Sequence, residues 1–247
     1  MSYAKDLPIM RLQFYLTAPY SCSYLPERTA RSQVAAPGDL IDTGVYSELV
    51  RLGFRRSGQH VYRPRCDACR ACVTVRVPVA EFEPSRAQRR CQTRNADLAL
   101  RFRPLAFDEA HYRLYRRYQA ARHAGGGMDQ DDRQQFRSFL LQSRVDSVLA
   151  EFSLDGEVVM VALVDKLIDG LSAVYTFFDP DLEKRGLGTL GVLTQIRLAR
   201  EIGLPYVYLG YWIEACNKMA YKRAYSPLEG LIDGRWERLG KDDGKTA

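Results

Sequence analysis

The chain has 247 residues, of which 46% are hydrophobic, and it carries a formal net charge of +6 at pH 7. A chain of this length buries a substantial core and fits one large domain or two small ones. No apolar stretch is as long as a membrane-spanning helix and the first residues lack a secretory signal, so we expect a cytoplasmic protein with no membrane partner. The positive charge is compatible with polyanionic partners.

The first predicted elements are a short helix and a strand. Asp42 and Thr43 are typical residues for a helix N-terminus, and Gly53 is typical of a helix end. Apolar and polar residues alternate from Val73 to Val77, which predicts a strand. The residues between the two elements contain three of the six cysteines of the chain.

These cysteines, Cys66, Cys69 and Cys72, form two overlapping C-x-x-C steps. The spacing is typical of zinc and iron–sulfur ligands, which need four ligands around one ion or cluster. It does not favour disulfides, because two of the three thiols would compete for one partner. Clustered cysteines without a signal sequence indicate reduced thiols, either bound to a metal or free.

An arginine-rich segment follows the predicted strand. Ser85 is the predicted N-cap of a helix in this segment, and the residues before Pro104 predict a second strand. A helical pattern then runs from residue 108 to about 122, followed by three glycines at 125–127 that indicate a hinge or loop, and by a second helical pattern at 131–141. The arginines either form a solvent-exposed surface or contact phosphates.

Residues 147–178 contain three apolar runs that predict an antiparallel meander. The runs are separated by Asp155-Gly156 and Asp169-Gly170, and Asp-Gly between apolar runs is a strong hairpin signal.

A glycine-bearing loop, a helix at 189–201 and a strand at 205–212 come next, in the order of the GNAT acyltransferase core. In that fold, the loop and the helix N-terminus bind the pyrophosphate of coenzyme A. Gly186 and Gly188 fit the GNAT loop signature, but Glu183 replaces its Arg or Gln, which argues against coenzyme A.

The fold class predicted from these elements is α/β (α+β), with a GNAT-like core in the C-terminal half. The boundary is predicted near residue 105. Residues 1–105 would form a smaller N-terminal domain with the cysteine cluster, and residues 106–247 the GNAT-like domain.

Three segments carry a resemblance to a known family: FYLTAPYSCSYLPERTAR, YRPRCDACRACVTVRV, and the C-terminal run from YTFFDPDLEKRGLGT to AYKRAYSPLE. Over about residues 14–230 the chain resembles the arginyl-tRNA–protein transferase family, and is most similar to its bacterial branch, the aspartate/glutamate leucyltransferases. The resemblance implies an enzyme that moves leucine from Leu-tRNA to the N-terminal α-amino group of proteins beginning with Asp or Glu, creating an N-end rule degradation signal. It implies recognition of that acceptor by the N-terminal domain.

Alternatives to this function stay open at the level of sequence. An arginyl donor is the alternative within the family, since residues that line the aminoacyl pocket are not evident. A small-molecule GNAT acetyltransferase would bind coenzyme A, and a non-catalytic zinc protein that binds nucleic acid would have no use for the C-terminal meander. No cofactor is required for aminoacyl transfer, because the aminoacyl ester is already activated.

Candidate site residues follow from their positions and from the resemblance. Asp179 directly follows the third run of the meander, and is either a catalytic group that orients the acceptor ammonium or takes its proton, or a turn residue. The candidate aminoacyl-tRNA-binding residues are Arg185, Gly186, Gly188, Thr189, Tyr208, Tyr211, Trp212, Lys218 and Lys222. Their structural alternatives are a plain helix start, core aromatic residues and a solvated helix.

The acceptor and metal sites depend on the N-terminal half. Arg28 and Arg76 are the candidate acceptor-binding residues, and either is alternatively a surface arginine. The resemblance adds Cys22 as a fourth thiol to the three clustered cysteines, for zinc, an iron–sulfur cluster or no metal at all. Leu25 stands where some family members have another cysteine, and His60 is a substitute ligand.

Overall fold

The computed structural model describes residues 11–122 and 132–240. The glycines predicted as a hinge at 125–127 lie outside the described residues, as does the first residue of the helix predicted at 131–141. No helix in the described part of the chain is long and apolar enough to span a bilayer.

The secondary structure is mixed, as the fold class predicts. The strands are β1 (Gln13–Leu16), β2 (Tyr20–Ser21), β3 (Thr29–Ala30), β4 (Ser32–Ala36), β5 (Arg55–Ser57), β6 (His60–Pro64), β7 (Val73–Pro78), β8 (Ala99–Arg103), β9 (Ser147–Leu154), β10 (Glu157–Lys166), β11 (Gly170–Phe178), β12 (Tyr206–Trp212), β13 (Glu229–Ile232) and β14 (Arg235–Arg238). The α-helices are α1 (Thr43–Arg51), α2 (Arg86–Arg94), α3 (Glu109–Arg122), α4 (Arg133–Phe136) and α5 (Leu187–Glu201). A π-helical turn (Arg137–Leu141) continues α4, and 3₁₀ turns include Pro180–Arg185 and Asn217–Ala224.

Local sequence signals account for several of these elements. The Asp42 carboxylate caps α1 by accepting a hydrogen bond from the Val45 N–H, and Gly53 follows the helix with a φ of +88°. Ser85 and Gln88 form a capping box at the start of α2. The two helices predicted from these signals are confirmed.

An eight-stranded sheet organises the molecule, in the order β14-β13-β7-β12-β11-β10-β9-β8. Neighbouring strands are antiparallel except β11 and β12, which are parallel. The meander β9–β10–β11, then α5, then a strand parallel to β11 is the order of the GNAT core, so this part of the prediction is confirmed. A four-stranded sheet, β1-β4-β6-β5, and the short pair β2-β3 complete the β-structure of the described residues.

The eight-stranded sheet crosses the boundary predicted near residue 105. β7 lies between β12 and β13, and β8 lies beside β9, although both β7 and β8 precede residue 105. The backbone hydrogen bonds of these two strands are therefore made with the C-terminal half. The division into a domain with the cysteine cluster at 1–105 and a GNAT-like domain at 106–247 stays a prediction.

Apolar side chains cover both faces of the eight-stranded sheet. One face packs against α2 and α5, through residues such as Met160, Leu193 and Ile196. On the other face, Val161 and Phe177 pack against α3 and α4, and Tyr208 packs against α1 and the four-stranded sheet. Successive side chains along each strand point to opposite faces of the sheet, so each strand contributes to both apolar cores.

Candidate active site

The parallel strands β11 and β12 separate after a short stretch of pairing. Their register contains the pairs Gly170–Tyr206, Leu171–Val207 and Ser172–Tyr208, although β11 continues to Phe178 and β12 to Trp212. The backbone of β11 beyond Ser172 therefore has no β12 partner on that side. Separated parallel strands leave an opening in the sheet with backbone groups available to a substrate.

Each of the two strands carries a bulge at this opening. Val174 is the extra residue of β11 opposite β10, and Leu209 is the extra residue of β12 opposite β7. Bulges bend a strand and redirect its backbone groups, and they are frequent beside active sites. The two bulges mark the opening as the candidate site.

Arg55, from β5 of the smaller sheet, lies across this opening. Its Nη2 donates a hydrogen bond of 3.2 Å to the Val174 carbonyl oxygen, and its Cζ is 5.6 Å from the centroid of the Tyr211 ring. Gly210 has a φ of +74°, and a Cβ at that position would lie 3.4 Å from Nη1 of Arg55. Glycine at 210 thus lets β12 take its left-handed conformation beside the guanidinium.

Lys222 is a second buried cation of the site. It lies in the 3₁₀ turn after β12, where its Nζ donates hydrogen bonds to the Tyr211 carbonyl oxygen and, at 3.4 Å, to Sδ of Met219. Burial, followed by the charge of Arg55, lowers the pKa of Lys222 to about 7. The contact predicted between Lys222 and aminoacyl-tRNA would therefore be made inside the protein and not on a solvated helix.

Asp179 caps the 3₁₀ turn that leads to α5. One carboxylate oxygen accepts a hydrogen bond of 3.0 Å from the Asp181 N–H, and both oxygens accept from Arg117, at 2.8 and 3.2 Å. These contacts give Asp179 a structural role as N-cap and ion-pair partner. Its role as proton acceptor stays a prediction.

The glycine loop forms the start of α5. Gly186 is left-handed, with a φ of +68°, and its carbonyl oxygen accepts hydrogen bonds from the N–H groups of Thr189 and Leu190. A Cβ at Gly188 would lie 3.4 Å from the Phe178 ring, so the first turn of α5 packs closely on the end of β11. Within residues 11–122 and 132–240, no side chain caps this N-terminus, which leaves its first N–H groups for solvent or an anion.

Arg185, predicted to bind aminoacyl-tRNA, forms an ion pair with Asp97. Its two Nη atoms donate hydrogen bonds of 2.8 and 2.9 Å to the two carboxylate oxygens. This bidentate pair joins the loop before α5 to the turn after α2. Binding of aminoacyl-tRNA by Arg185 stays a prediction.

Two of the aromatic residues predicted to bind the donor are core residues. Tyr208 is 1% exposed and its hydroxyl donates to Asp169, while Tyr211 is 2% exposed and its hydroxyl donates to the Gly53 carbonyl oxygen. Both rings lie in the core, as the structural alternative for these residues has it, and a role of either in binding the donor stays a prediction.

The other two donor candidates on this part of the chain lie nearer the surface. Trp212 is partly buried, with the Arg223 guanidinium 5.1 Å from its ring centroid, and Lys218 is exposed.

The two arginines predicted to bind the acceptor have different environments. Arg76 is buried, its Nε lies 2.8 Å from a carboxylate oxygen of Glu229, and its guanidinium stacks on Tyr206 and Trp236 with distances of 3.5 and 4.2 Å to the ring centroids. Because its charge is already compensated, these contacts favour a structural role for Arg76, and acceptor binding by Arg76 stays a prediction. Arg28 is exposed and donates a hydrogen bond of 3.4 Å to Sγ of Cys69.

The clustered cysteines are all unpaired. The Ala71 N–H, with Arg28, lowers the pKa of Cys69, whereas burial and then the neighbouring thiols of Cys22, Cys66, Cys69 and Cys216 raise the pKa of Cys72 to about 12. Cys216 therefore belongs to the same neighbourhood, which spacing along the chain did not predict.

The side-chain positions do not by themselves form a coordination site. In residues 11–122 and 132–240, no three His, Cys, Asp or Glu side chains are placed to hold one metal ion. His60 is exposed and lines a cavity of about 330 Å³ together with residues such as Gln135 and Phe139. Binding of zinc or an iron–sulfur cluster stays a prediction.

Arg55 was not among the residues predicted from the sequence. It lies beside Arg56 in a three-residue strand, and no motif distinguishes the two arginines. Only the structure separates their roles, because Arg56 pairs with Asp165 while Arg55 reaches the opening between β11 and β12.

Comparison with known proteins agrees with the motifs of the chain. The family described as arginine-tRNA-protein transferase matches in two parts, its N terminus over residues 20–90 and its C terminus over residues 110–232. Among solved structures, L-PGS from Bacillus licheniformis aligns with a TM-score of 0.47 and 13% identity, over 58% of this chain and 46% of that chain.

Curated relatives match over nearly the whole length. An aspartate/glutamate leucyltransferase of Chromobacterium violaceum is 59% identical over 239 residues, which is 97% of this chain and 99% of that protein. A protein of the same name from Thiobacillus denitrificans is 61% identical over 232 residues, 94% of this chain and 97% of that protein. On these matches, the chain belongs to the arginine-tRNA–protein transferase family.

Proposed function

We propose that the protein transfers leucine from Leu-tRNA to the N-terminal α-amino group of proteins that begin with Asp or Glu. The observation that carries this proposal is the identity of about three residues in five, over nearly the full length, to relatives named aspartate/glutamate leucyltransferase. The reaction belongs in the cytoplasm, where aminoacyl-tRNA is made and used.

The chemistry is an aminolysis of an ester. The acceptor nitrogen attacks the carbonyl carbon of the leucyl ester, the bond to the terminal ribose oxygen breaks, and an amide forms. The acceptor ammonium loses one proton before the attack. The nitrogen loses a second proton after the attack and the ribose oxygen takes one as it leaves, so neither a cofactor nor an oxidant is needed. The protein has to position the two substrates and stabilise the oxyanion.

The opening between β11 and β12 suits this task. Unpaired backbone groups of β11 beyond Ser172 can hold an extended peptide, and the uncapped start of α5 lies over the end of β11. N–H groups at a helix N-terminus favour an anion, such as a phosphate of the tRNA or the oxyanion of the tetrahedral intermediate. The donor and the acceptor would thus meet at the opening between β11 and β12.

The tRNA body would contact the arginine-rich surface. Arg86, Arg89 and Arg90 on α2, and Arg113 on α3, have exposed side chains. Contacts of this kind release counterions, so we expect the affinity for Leu-tRNA to fall steeply as the salt concentration rises.

One assay tests the proposal. The protein is mixed with radiolabelled Leu-tRNA or Arg-tRNA, and with otherwise identical peptides that begin with Asp, Glu, Arg or Lys. We expect transfer of leucine to the Asp and Glu peptides and no transfer to the other two. Transfer of arginine in place of leucine would contradict the proposed donor, and absence of transfer from either tRNA would contradict the function.

A further inference from the structure

Two cations, the partly buried Arg55 and the buried Lys222, face the opening between β11 and β12, and neither is paired with a carboxylate in the part of the chain that the structure describes. The titratable groups that act on Arg55 are the hydroxyls of Tyr62, Tyr24, Tyr211 and Tyr46, which are neutral near pH 7, and those that act on Lys222 are Arg55 and Cys216. In the described residues, neither cation lies within ion-pair distance of an Asp or Glu. Burying a charge is costly unless it is paired, so the two cations together favour an anion at this place.

Elsewhere this fold compensates its buried arginines. Arg56, the neighbour of Arg55, forms two hydrogen bonds with Asp165, and Arg76 pairs with Glu229. Arg55 instead makes its one described hydrogen bond to a main-chain oxygen, that of Val174. A guanidinium has five N–H donors, so most of those of Arg55 are available for a ligand.

We propose that Arg55, supported by Lys222, binds the side-chain carboxylate of the acceptor's N-terminal Asp or Glu. This inference rests on the proposed function, and names the residues that select the acceptor. In Asp one methylene group, and in Glu two, separate the carboxylate from the Cα that carries the attacking amine. A carboxylate bound by Arg55 therefore places the attacking amine at the opening between β11 and β12.

A carboxylate fits this place better than a phosphate of the tRNA. The guanidinium fork matches the planar carboxylate in a bidentate way, and Arg55 is partly buried between two strands while Lys222 is only 3% exposed. A backbone phosphate brings two ribose groups with it, and suits an exposed surface better than a narrow opening. Binding of a carboxylate and binding of a phosphate predict different effects of the same substitution at Arg55.

The test compares Arg55→Gln with the wild type on four peptides that differ only in their first residue, Asp, Glu, Asn or Gln. We expect the variant to lose about 10- to 100-fold in kcat/KM for the Asp and Glu peptides, and to change within about threefold for the Asn and Gln peptides. Arg55→Lys, which keeps the charge but not the fork, should retain part of the preference. Arg235→Gln removes an exposed charge on β14 and serves as the matched control.

An unchanged preference for Asp over Asn in Arg55→Gln would overturn the proposal. So would an equal loss on all four peptides together with weaker binding of Leu-tRNA, because that result identifies a phosphate site. Leucine transfer to the Asp peptide by the wild type tests the proposed function separately.

A measurement on the wild type covers the case in which Arg55→Gln does not fold. Binding of the Asp peptide at pH 8 should cause uptake of a proton, because the carboxylate restores the charge of Lys222, whereas the Asn peptide should cause less uptake. Calorimetry in buffers of different ionisation enthalpy gives the number of protons taken up on binding. Equal uptake with both peptides would overturn the proposal, whether or not leucine is transferred.

Discussion

Arg56 and Asp165 form a bidentate ion pair that joins the small sheet to the large one. Nε and Nη2 of Arg56 lie 2.7 and 2.6 Å from the two carboxylate oxygens, and the side chains are 1% and 0% exposed. Arg56 also donates to the Gly58 carbonyl oxygen and to the Ser147 hydroxyl. The pair is therefore buried with its hydrogen bonds satisfied.

Removing one partner of this pair should be strongly destabilising. We expect Asp165→Asn to lower the free energy of unfolding by about 3–5 kcal/mol, because it leaves the Arg56 charge buried and uncompensated. Urea unfolding measures the change. Asp67→Asn is the control, since Asp67 pairs with Arg31 at 3.4 Å and is 70% exposed, and should cost less than about 1 kcal/mol. Equal effects would contradict the account.

Arg76 should affect stability and not the choice of acceptor. We expect Arg76→Gln to lower the free energy of unfolding by about 3 kcal/mol, because Glu229 loses its partner and two aromatic rings lose their cation. Its preference for Asp over Asn peptides, measured well below the unfolding temperature, should equal that of the wild type. A selective loss of leucine transfer to Asp peptides would support Arg76 as an acceptor-binding residue.

Lys222 should make the stability of the protein depend on pH. Its pKa is about 7 in the folded protein and near 10.5 when unfolded, so between these values the unfolded chain binds more protons and stability rises with pH. Relative to Lys222→Met, the free energy of unfolding should rise by up to ~1.4 kcal/mol per pH unit from pH 7 to 9. Lys218→Met, at an exposed position of the same turn, should keep the wild-type slope. A Lys222→Met variant with that slope as well would contradict the low pKa.

Asp179→Asn separates the two roles of that residue. Asparagine caps a helix as well as aspartate does, and the Arg117 side chain is 51% exposed, so stability should change by less than about 1 kcal/mol. Because Arg117 and the Asp181 N–H already engage both carboxylate oxygens, we expect leucine transfer to fall by no more than about threefold. A loss of about 100-fold at unchanged stability would instead support Asp179 as the proton acceptor.

The clustered thiols should differ in reactivity in metal-free protein. The thiolate is the reactive form, so iodoacetamide at pH 7.5 should modify Cys69, whose pKa is lowered, before Cys72, whose pKa is raised to about 12. Mass spectrometry after short reaction times gives the order. A bound metal would protect both thiols until a chelator is added, and metal analysis of anaerobically purified protein completes the test. Equal rates in metal-free protein would contradict the assigned environments.

Sequence patterns predicted the local elements well because their causes are local. Ser85 and Asp42 cap their helices through contacts with residues three positions further along the chain. Asp155-Gly156 forms the turn between β9 and β10 through its own backbone preference, with positive φ at both residues. The C-terminal strand order followed from these elements and from the helix between β11 and β12.

The rest depended on contacts between distant parts of the chain. Short strands such as β5 and β13 have no periodicity to detect, and the pairing of β7 with β12 joins residues far apart in sequence. The same limit applies to the site. Arg76 pairs with Glu229, which is far away in the sequence, whereas Arg55 has no carboxylate partner among the described residues. The residues next to the two arginines in the sequence do not indicate this difference.

The position of β7 has a consequence for the newly made chain. On the ribosome, residues 73–78 emerge early, but the strands that flank them in the finished sheet, Tyr206–Trp212 and Glu229–Ile232, are among the last to be synthesised. Until then both edges of an apolar segment are open to pairing with other chains. Folding of the central sheet is therefore completed only at the end of translation, and a chain that stops short of residue 206 would be prone to aggregate.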